Sequence, residues 1–324
     1  MVSLLCLGTF SPLAPSPSLD LPQTERYSRF TDALQIRWRT VPMTDTERIK
    51  AVGLRTGGLV VGVAAASAFN EFVPEGHRPE DILLGAQSVV VAGSKGPTAG
   101  AWQCPDHRLM EITGYDFREN VAVHVMCDYI ENTFGYQAIQ APSLPTAGHT
   151  PPMSMMLAAV LAGLGTRSLA ANIILHPDYG LLYYAALITT MPLTPDHPIE
   201  TAVCPSPPCV EMYRKLGTTP CLAACPASEG GCLDGDIDAD GQIAYSYYDR
   251  ERCTSRSMNF GIGTVQKSLV QIITEDDPEQ RRAMIYSDFF TQSLSSLGFY
   301  KESVAQCFEC MRVCPVGRVH RRLK

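Results

Sequence analysis

The sequence predicts an α+β fold, with a mixed α/β domain over residues 43–199 and a smaller domain over residues 200–324 organised by something other than a hydrophobic core. Three observations carry this reading. Short β-branched apolar runs alternate with helical patterns up to about residue 195. From Cys204 to Cys232 the chain carries Pro, Cys and Gly at turn-like density, and a stretch that irregular rarely survives in a compact domain without an extra tie. Nine of the 12 cysteines fall between Cys204 and Cys314.

The elements follow in order. Residues 1–42 read as a flexible extension, because Ser11 to Pro22 is rich in Pro and Ser. The apolar start lacks a preceding Lys or Arg and a clean cleavage site, which argues against a secretory signal. Thr44 and Glu47 have capping-box spacing, so a helix is expected from Thr44 to about Arg55, broken by Gly57-Gly58. Leu59 to Ala65 and Ser88 to Ala92 read as buried strands. The clearest helix runs from Asp116 to Phe134, with Phe117, Val121, Val125 and Tyr129 as its apolar stripe and Gly135 as its stop. Met153 to Leu164 reads as a second helix. Asn172 to Leu175 and Leu181 to Thr189 read as strands joined by the turn His176-Pro-Asp-Tyr-Gly180.

Composition narrows the function classes. A formal charge of −7 argues against a broad nucleic-acid surface, which needs clustered cations to displace counterions. No uninterrupted apolar run reaches the ~18 residues of a membrane span. The cysteines are too few and too clustered for a secreted disulfide scaffold, so a reduced, cytoplasmic setting with a metal centre is expected.

The C-terminal run Cys307-Phe-Glu-Cys310-Met-Arg-Val-Cys314-Pro315 has two thiols that can grip one cluster from a single turn. A third cysteine before proline points to a neighbouring cluster, the crossing logic of bacterial two-cluster ferredoxins. Cys221-Leu-Ala-Ala-Cys225-Pro226 is the matching upstream half. Cys204, Cys209, Cys221 and Cys314 are therefore expected to hold one [4Fe–4S] cluster. Cys253, Cys307, Cys310 and Cys225 are expected to hold a second. Cys232 is left over and could replace Cys204. Structural zinc on four of these thiols, or inert thiols, are the competing readings.

At this point Ala162-Gly-Leu-Gly-Thr-Arg-Ser-Leu-Ala-Ala-Asn172, His176-Pro-Asp-Tyr-Gly180 and Thr190-Met-Pro-Leu-Thr-Pro-Asp196 resemble a run shared by epoxyqueuosine reductases and reductive dehalogenases. Ile49 to Leu54, Val61-Gly-Val63, Leu83 to Val91 and Asp249-Arg-Glu-Arg-Cys253 are similar to other parts of epoxyqueuosine reductase. The resemblance spans residues 43 to 324 and implies a cobalamin reduced through the two clusters, with Gly163, Gly165, Ser168 and Asn172 as cofactor contacts. It implies a general-acid role for Asp116 in Gly114-Tyr-Asp-Phe-Arg118; a helix N-cap is the plainer role for that aspartate. Arg167-Ser168 stands where the family has a lysine, and the helical-repeat tail of many relatives is missing after Cys314. The only basic cluster is Arg318, Arg321, Arg322 and Lys324, so tRNA is disfavoured as a partner.

Two functional readings follow. One is a reductase that passes electrons from a redox partner protein, through its clusters, to a centre acting on a small organic substrate. The other is a ferredoxin-type electron carrier without cobalamin or catalysis of its own. Weaker signals point elsewhere. Asp236-Ile-Asp-Ala-Asp-Gly241 starts like a calcium loop but has Tyr247 in place of its closing glutamate, and so reads as a polar turn. Gly163-Leu-Gly165 lacks the third glycine of a dinucleotide site and equally suits close backbone packing. His107, His124, His149 and His176 are not paired at ligand spacing.

Overall fold

The computed structural model describes residues 43–96, 99–103, 118–142, 152–170, 173–224, 231–249, 262–296 and 309–320. Residues Thr44–Lys324 form one unit. Helix α1 is Asp45–Arg55, and its capping box is closed: Thr44 N–H donates to Glu47 Oε2 (2.7 Å) and Glu47 N–H to Thr44 Oγ1 (3.3 Å). Strand β1, Val60–Ala65, leads into a 3-10 turn and then helix α2, Pro79–Ile82. Strand β2 is Ser88–Ser94, helix α3 is Arg118–Phe134 and strand β3 is Ala138–Gln140. Helix α4 is Met155–Leu161. Strands β4 (Thr166–Arg167), β5 (Ile174–His176) and β6 (Gly180–Leu181) form a small antiparallel sheet, and β7 is Tyr183–Thr189.

The main sheet has the order β1-β2-β7-β3, and every pairing is antiparallel. All seven residues of β2 are buried, because it is a central strand covered on both faces. The pleat sorts its side chains. Val90 and Ala92 of β2, with Ala185 and Leu187 of β7, pack against α1 and α3. Val89 and Val91, with Ala186 and Ile188, pack against α4 on the opposite face. Each fully buried aliphatic side chain here contributes about 1.5–3 kcal/mol.

The helix expected from Asp116 is present from Arg118, but its stripe is corrected. Val121 and Val125 are 51% and 37% exposed, whereas Ala122, Val123, Met126, Cys127 and Ile130 are buried. Strict spacing by four drifts off a helix face, so the face that meets the sheet follows the 3.6-residue period instead. The second helix is shorter than expected, since Ala162 ends α4 and Gly163 turns the chain at φ +69°. Asp116 and Phe117 lie outside the described residues.

The segment after β7 straps the sheet to α1. Ser88 Oγ donates to Met191 O and accepts from Leu193 N–H, both at 2.9 Å. Asp196 closes the strap: its carboxylate accepts from Val63 N–H (2.7 Å) and from Lys50 Nζ (2.5 Å), and its own N–H donates to Val63 O (2.8 Å).

The C-terminal part contains helices α5 (Pro207–Leu216) and α6 (Pro220–Ala223), then the hairpin β8 (Leu233–Ile237) and β9 (Ile243–Tyr248). The loop from Asp238 to Gln242 is a polar turn closed by Gly241 N–H on Asp238 O (3.1 Å) and Gln242 N–H on Asp238 Oδ1 (2.8 Å). Helices α7 (Ile262–Thr274), α8 (Pro278–Ile285) and α9 (Asp288–Ser296) share a small core of Val265, Ile272 and Phe290. Helices α10 (Glu309–Val313) and α11 (Pro315–His320) end the described chain. No described helix is long and apolar enough to cross a membrane.

Two predictions come from this packing. Asp196→Ala strands the part-buried Val63 N–H and should cost about 1–3 kcal/mol in urea unfolding. Lys50→Met removes only a half-exposed ion pair and should cost under ~1 kcal/mol; the reverse order would show that the ion pair, not the backbone bond, holds the strap. Burial on the sheet-facing side of α3 pushes the Cys127 thiol up to about 12. It should therefore resist alkylation by iodoacetamide at pH 8 until the protein is unfolded, and rapid native labelling would contradict that packing.

Candidate iron-sulfur site

Three cysteines of the C-terminal part, Cys209, Cys221 and Cys314, sit at short helices that begin at proline. Pro207 starts α5 and places Cys209 in its first turn; Pro220 starts α6 and is followed by Cys221; Cys314 immediately precedes Pro315, the first residue of α11. Proline suits the first helical position because its missing N–H would have no partner there. The consequence is chemical as well as structural. At α6 and α11 helix-start amides act on the Cys221 and Cys314 thiols and favour negative charge on them.

Cys204, Cys209, Cys221 and Cys314 line one cavity, together with Cys310 of α10. Its other walls include Ser168, Ala170, Ile173, Leu175 and Val316, and it encloses about 340 Å³, part of it open to solvent. The four thiols first expected on spacing alone thus stand round one space. Cys310, expected at the second cluster, reaches the same wall. Cys225, Cys253 and Cys307 lie outside the described residues. Cys232 packs in the same apolar cluster as Cys204, Cys221 and Cys314 without lining the cavity.

Hydrogen bonds converge on these sulfurs. Leu169 N–H donates to Cys204 Sγ, and Ser206 Oγ–H to Cys209 Sγ, each at 3.3 Å. Thr219 Oγ1 and Cys221 Sγ are also bonded at 3.3 Å. Ser206 and Thr219 are the N-cap residues of α5 and α6, yet neither side chain caps the backbone. Both hydroxyls turn to sulfur instead. Sequence reasoning did not single out these donors, although a Ser or Thr two or three residues before a helix-starting cysteine was a visible signal.

In the metal-free protein burial favours the protonated thiol at Cys204, Cys221 and Cys314. Burial pushes Cys204 up to about 12, with the Leu169 amide opposing and the neighbouring cysteines adding to the rise. Burial also raises Cys221, opposed by the Thr219 hydroxyl, and Cys314, opposed by the Gly317 and Val316 amides. Among the described residues no three His, Cys, Asp or Glu side chains gather closely enough to hold a single metal ion. A tetrahedral zinc needs sulfurs ~2.3 Å from one point. Thiols round one cavity wall are the donor type that a polynuclear iron-sulfur cluster takes.

Three of the residues expected to touch cobalamin, Gly163, Gly165 and Ser168, are among the described residues. At Gly163 a side chain would run into the backbone carbonyl of His197, and at Gly165 a Cβ would lie 2.7 Å from Leu175 O and 2.6 Å from Ile174 Cγ2. Both glycines serve close packing of the chain on itself. Ser168 faces the cysteine cavity. Asn172 lies outside the described residues.

No protein-family model matches the chain, and no curated protein matches it in sequence. Among solved structures it is similar in fold to epoxyqueuosine reductases and reductive dehalogenases. The epoxyqueuosine reductase from Bacillus subtilis matches over 84% of this chain and 65% of its own, with 18% identity and a TM-score of 0.47. That from Streptococcus thermophilus matches over 85% and 67%, with 16% identity and a TM-score of 0.46. A reductive dehalogenase described with a B12-dependent mechanism matches over 80% of this chain and 37% of its own, at 19% identity and TM-score 0.43. The chain thus spans about two-thirds or less of the proteins it matches.

The diverted caps generate a prediction. Replacing an N-cap serine by alanine ordinarily costs about 0.5–2 kcal/mol. Because Ser206 makes no backbone cap, Ser206→Ala should cost less than that in metal-free protein, measured by urea unfolding. A full capping loss would show that the hydroxyl serves the helix.

Proposed function

We propose that the protein is an iron-sulfur oxidoreductase that passes electrons through two [4Fe–4S] clusters to a small organic substrate. The observation that carries this reading is the convergence of Cys204, Cys209, Cys221 and Cys314 on one largely apolar cavity with donors aimed at their sulfurs. These four would hold the first cluster, which supplies one-electron redox chemistry when bound. The second cluster is proposed on Cys225, Cys253, Cys307 and Cys310, the C-terminal ferredoxin-like arrangement that the two Cys-Pro endings suggest.

The chain's own groups have definable tasks. The thiols give up their protons to solvent as metal binds, since only the thiolate is a ligand. The helix-start amides and the Leu169, Ser206 and Thr219 donors hold negative charge on sulfur. Ala170, Ile173, Leu175 and Val316 exclude water from the cavity. Asp116 is proposed as the acid that protonates substrate, a role resting on sequence alone. The electron donor would be a separate redox protein and the setting cytoplasmic. No step is assigned to cobalamin, which stands as a further candidate cofactor of the α/β part.

The test is anaerobic reconstitution of the full chain with iron and sulfide, followed by iron, sulfide and cobalt analysis with and without cobalamin. About eight irons per chain are expected. Cys209→Ala should lose about four of them and lower the melting temperature. Unchanged iron in that variant would sink the ligand assignment. Full iron with no cobalt uptake and no turnover would favour the electron carrier over the reductase.

A further inference from the structure

We infer that Ser168 is a hydrogen-bond donor to the first cluster and sets its reduction potential. The inference rests on the cluster reading above and begins from an orphaned atom. Ser168 is only 3% exposed, and its Oγ is buried without a hydrogen-bond partner. Buried hydroxyls are rarely left so, and each such case calls for an occupant.

The surroundings identify that occupant. The Ser168 backbone is fixed, with its N–H donating to Ile173 O at 3.0 Å, so the residue cannot easily swing away. Ser168 lines the cavity shared by Cys204, Cys209, Cys221, Cys310 and Cys314. The next residue already serves that site, since Leu169 N–H donates to Cys204 Sγ. A water would find few polar partners on the remaining apolar wall, whereas cluster-bound sulfur is an acceptor. A hydroxyl directed at sulfur binds more strongly as the sulfur becomes more negative. Reduction adds an electron to the cluster, so the bond favours the reduced state and raises the potential.

The experiment uses the full chain reconstituted anaerobically with iron and sulfide, titrated electrochemically and followed by electron paramagnetic resonance. Ser168→Ala should keep its iron yet lower the reduction equilibrium constant of one cluster about tenfold, which is about 59 mV for one electron. It should also lose one exchangeable-proton coupling, read by electron-nuclear double resonance before and after exchange into D2O. Ser168→Thr, which keeps the hydroxyl, should restore both. Should the alanine variant fail to hold its cluster, the threonine variant decides: loss of the coupling there, with iron retained and the potential unmoved, overturns the role of the hydroxyl. Wild-type iron content in Ser168→Ala with unmoved potentials and couplings overturns the inference alone. A wild-type protein that takes up no iron overturns the cluster reading beneath it.

Discussion

The pleat of Ile173, Ile174 and Leu175 is the constraint on which both halves of this protein depend. Ile174 points into the core between the main sheet and α4, while Ile173 and Leu175 point into the cysteine cavity. All three are buried. A one-residue slip would exchange the two sets and place one large side chain where two are needed, so the register is strongly specified. Gly165 and the facing strand make that register tight, because there is no space at residue 165 for even a methyl group. The cysteine site is thus built against the back of the sheet core.

This arrangement accounts for how an irregular segment keeps its shape. Residues 190–206 contain no regular element, and they are held at discrete points: Ser88 on the Met191 and Leu193 backbone, Asp196 on Val63, and Thr166 Oγ1 accepting from Val203 N–H at 2.9 Å. Each bond joins residues far apart in sequence. They deliver Cys204 beside the Leu169 turn, against which β8 also packs closely at Gly235. Tyr213 of α5 donates to Asp236 of β8 at 2.6 Å and ties the first cysteine-bearing helix to the same hairpin.

What was legible in the sequence follows from the range of the interaction involved. Strands β1, β2 and β7 were visible because short apolar runs bounded by turn residues need no long-range information. The capping box of α1 was visible because it is local. The face of α3 was not, because Val121 and Val125 turn outward while Ala122, Val123, Met126, Cys127 and Ile130 are buried. The four converging cysteines were legible through the proline that follows or precedes them, a local signal with a steric cause. Ser168 was misplaced: a serine in a glycine-rich loop carries no local sign that its hydroxyl will be buried beside thiols more than 30 residues away.

The chemistry of the cavity rests on two opposed effects. Walls of Ala170, Ile173, Leu175 and Val316 lower the local polarity and disfavour any charge, as the raised thiols of Cys204, Cys221 and Cys314 already register. The hydroxyls and amides aimed at sulfur favour negative charge again, and do so in a medium where each bond counts for more than in water. A site of either kind alone would be simpler: an apolar pocket for inert thiols, or an exposed polar loop for a surface metal. Their combination at one set of cysteines is what a buried, charge-varying centre requires. The diversion of two helix caps toward sulfur shows how the local fold accommodates it.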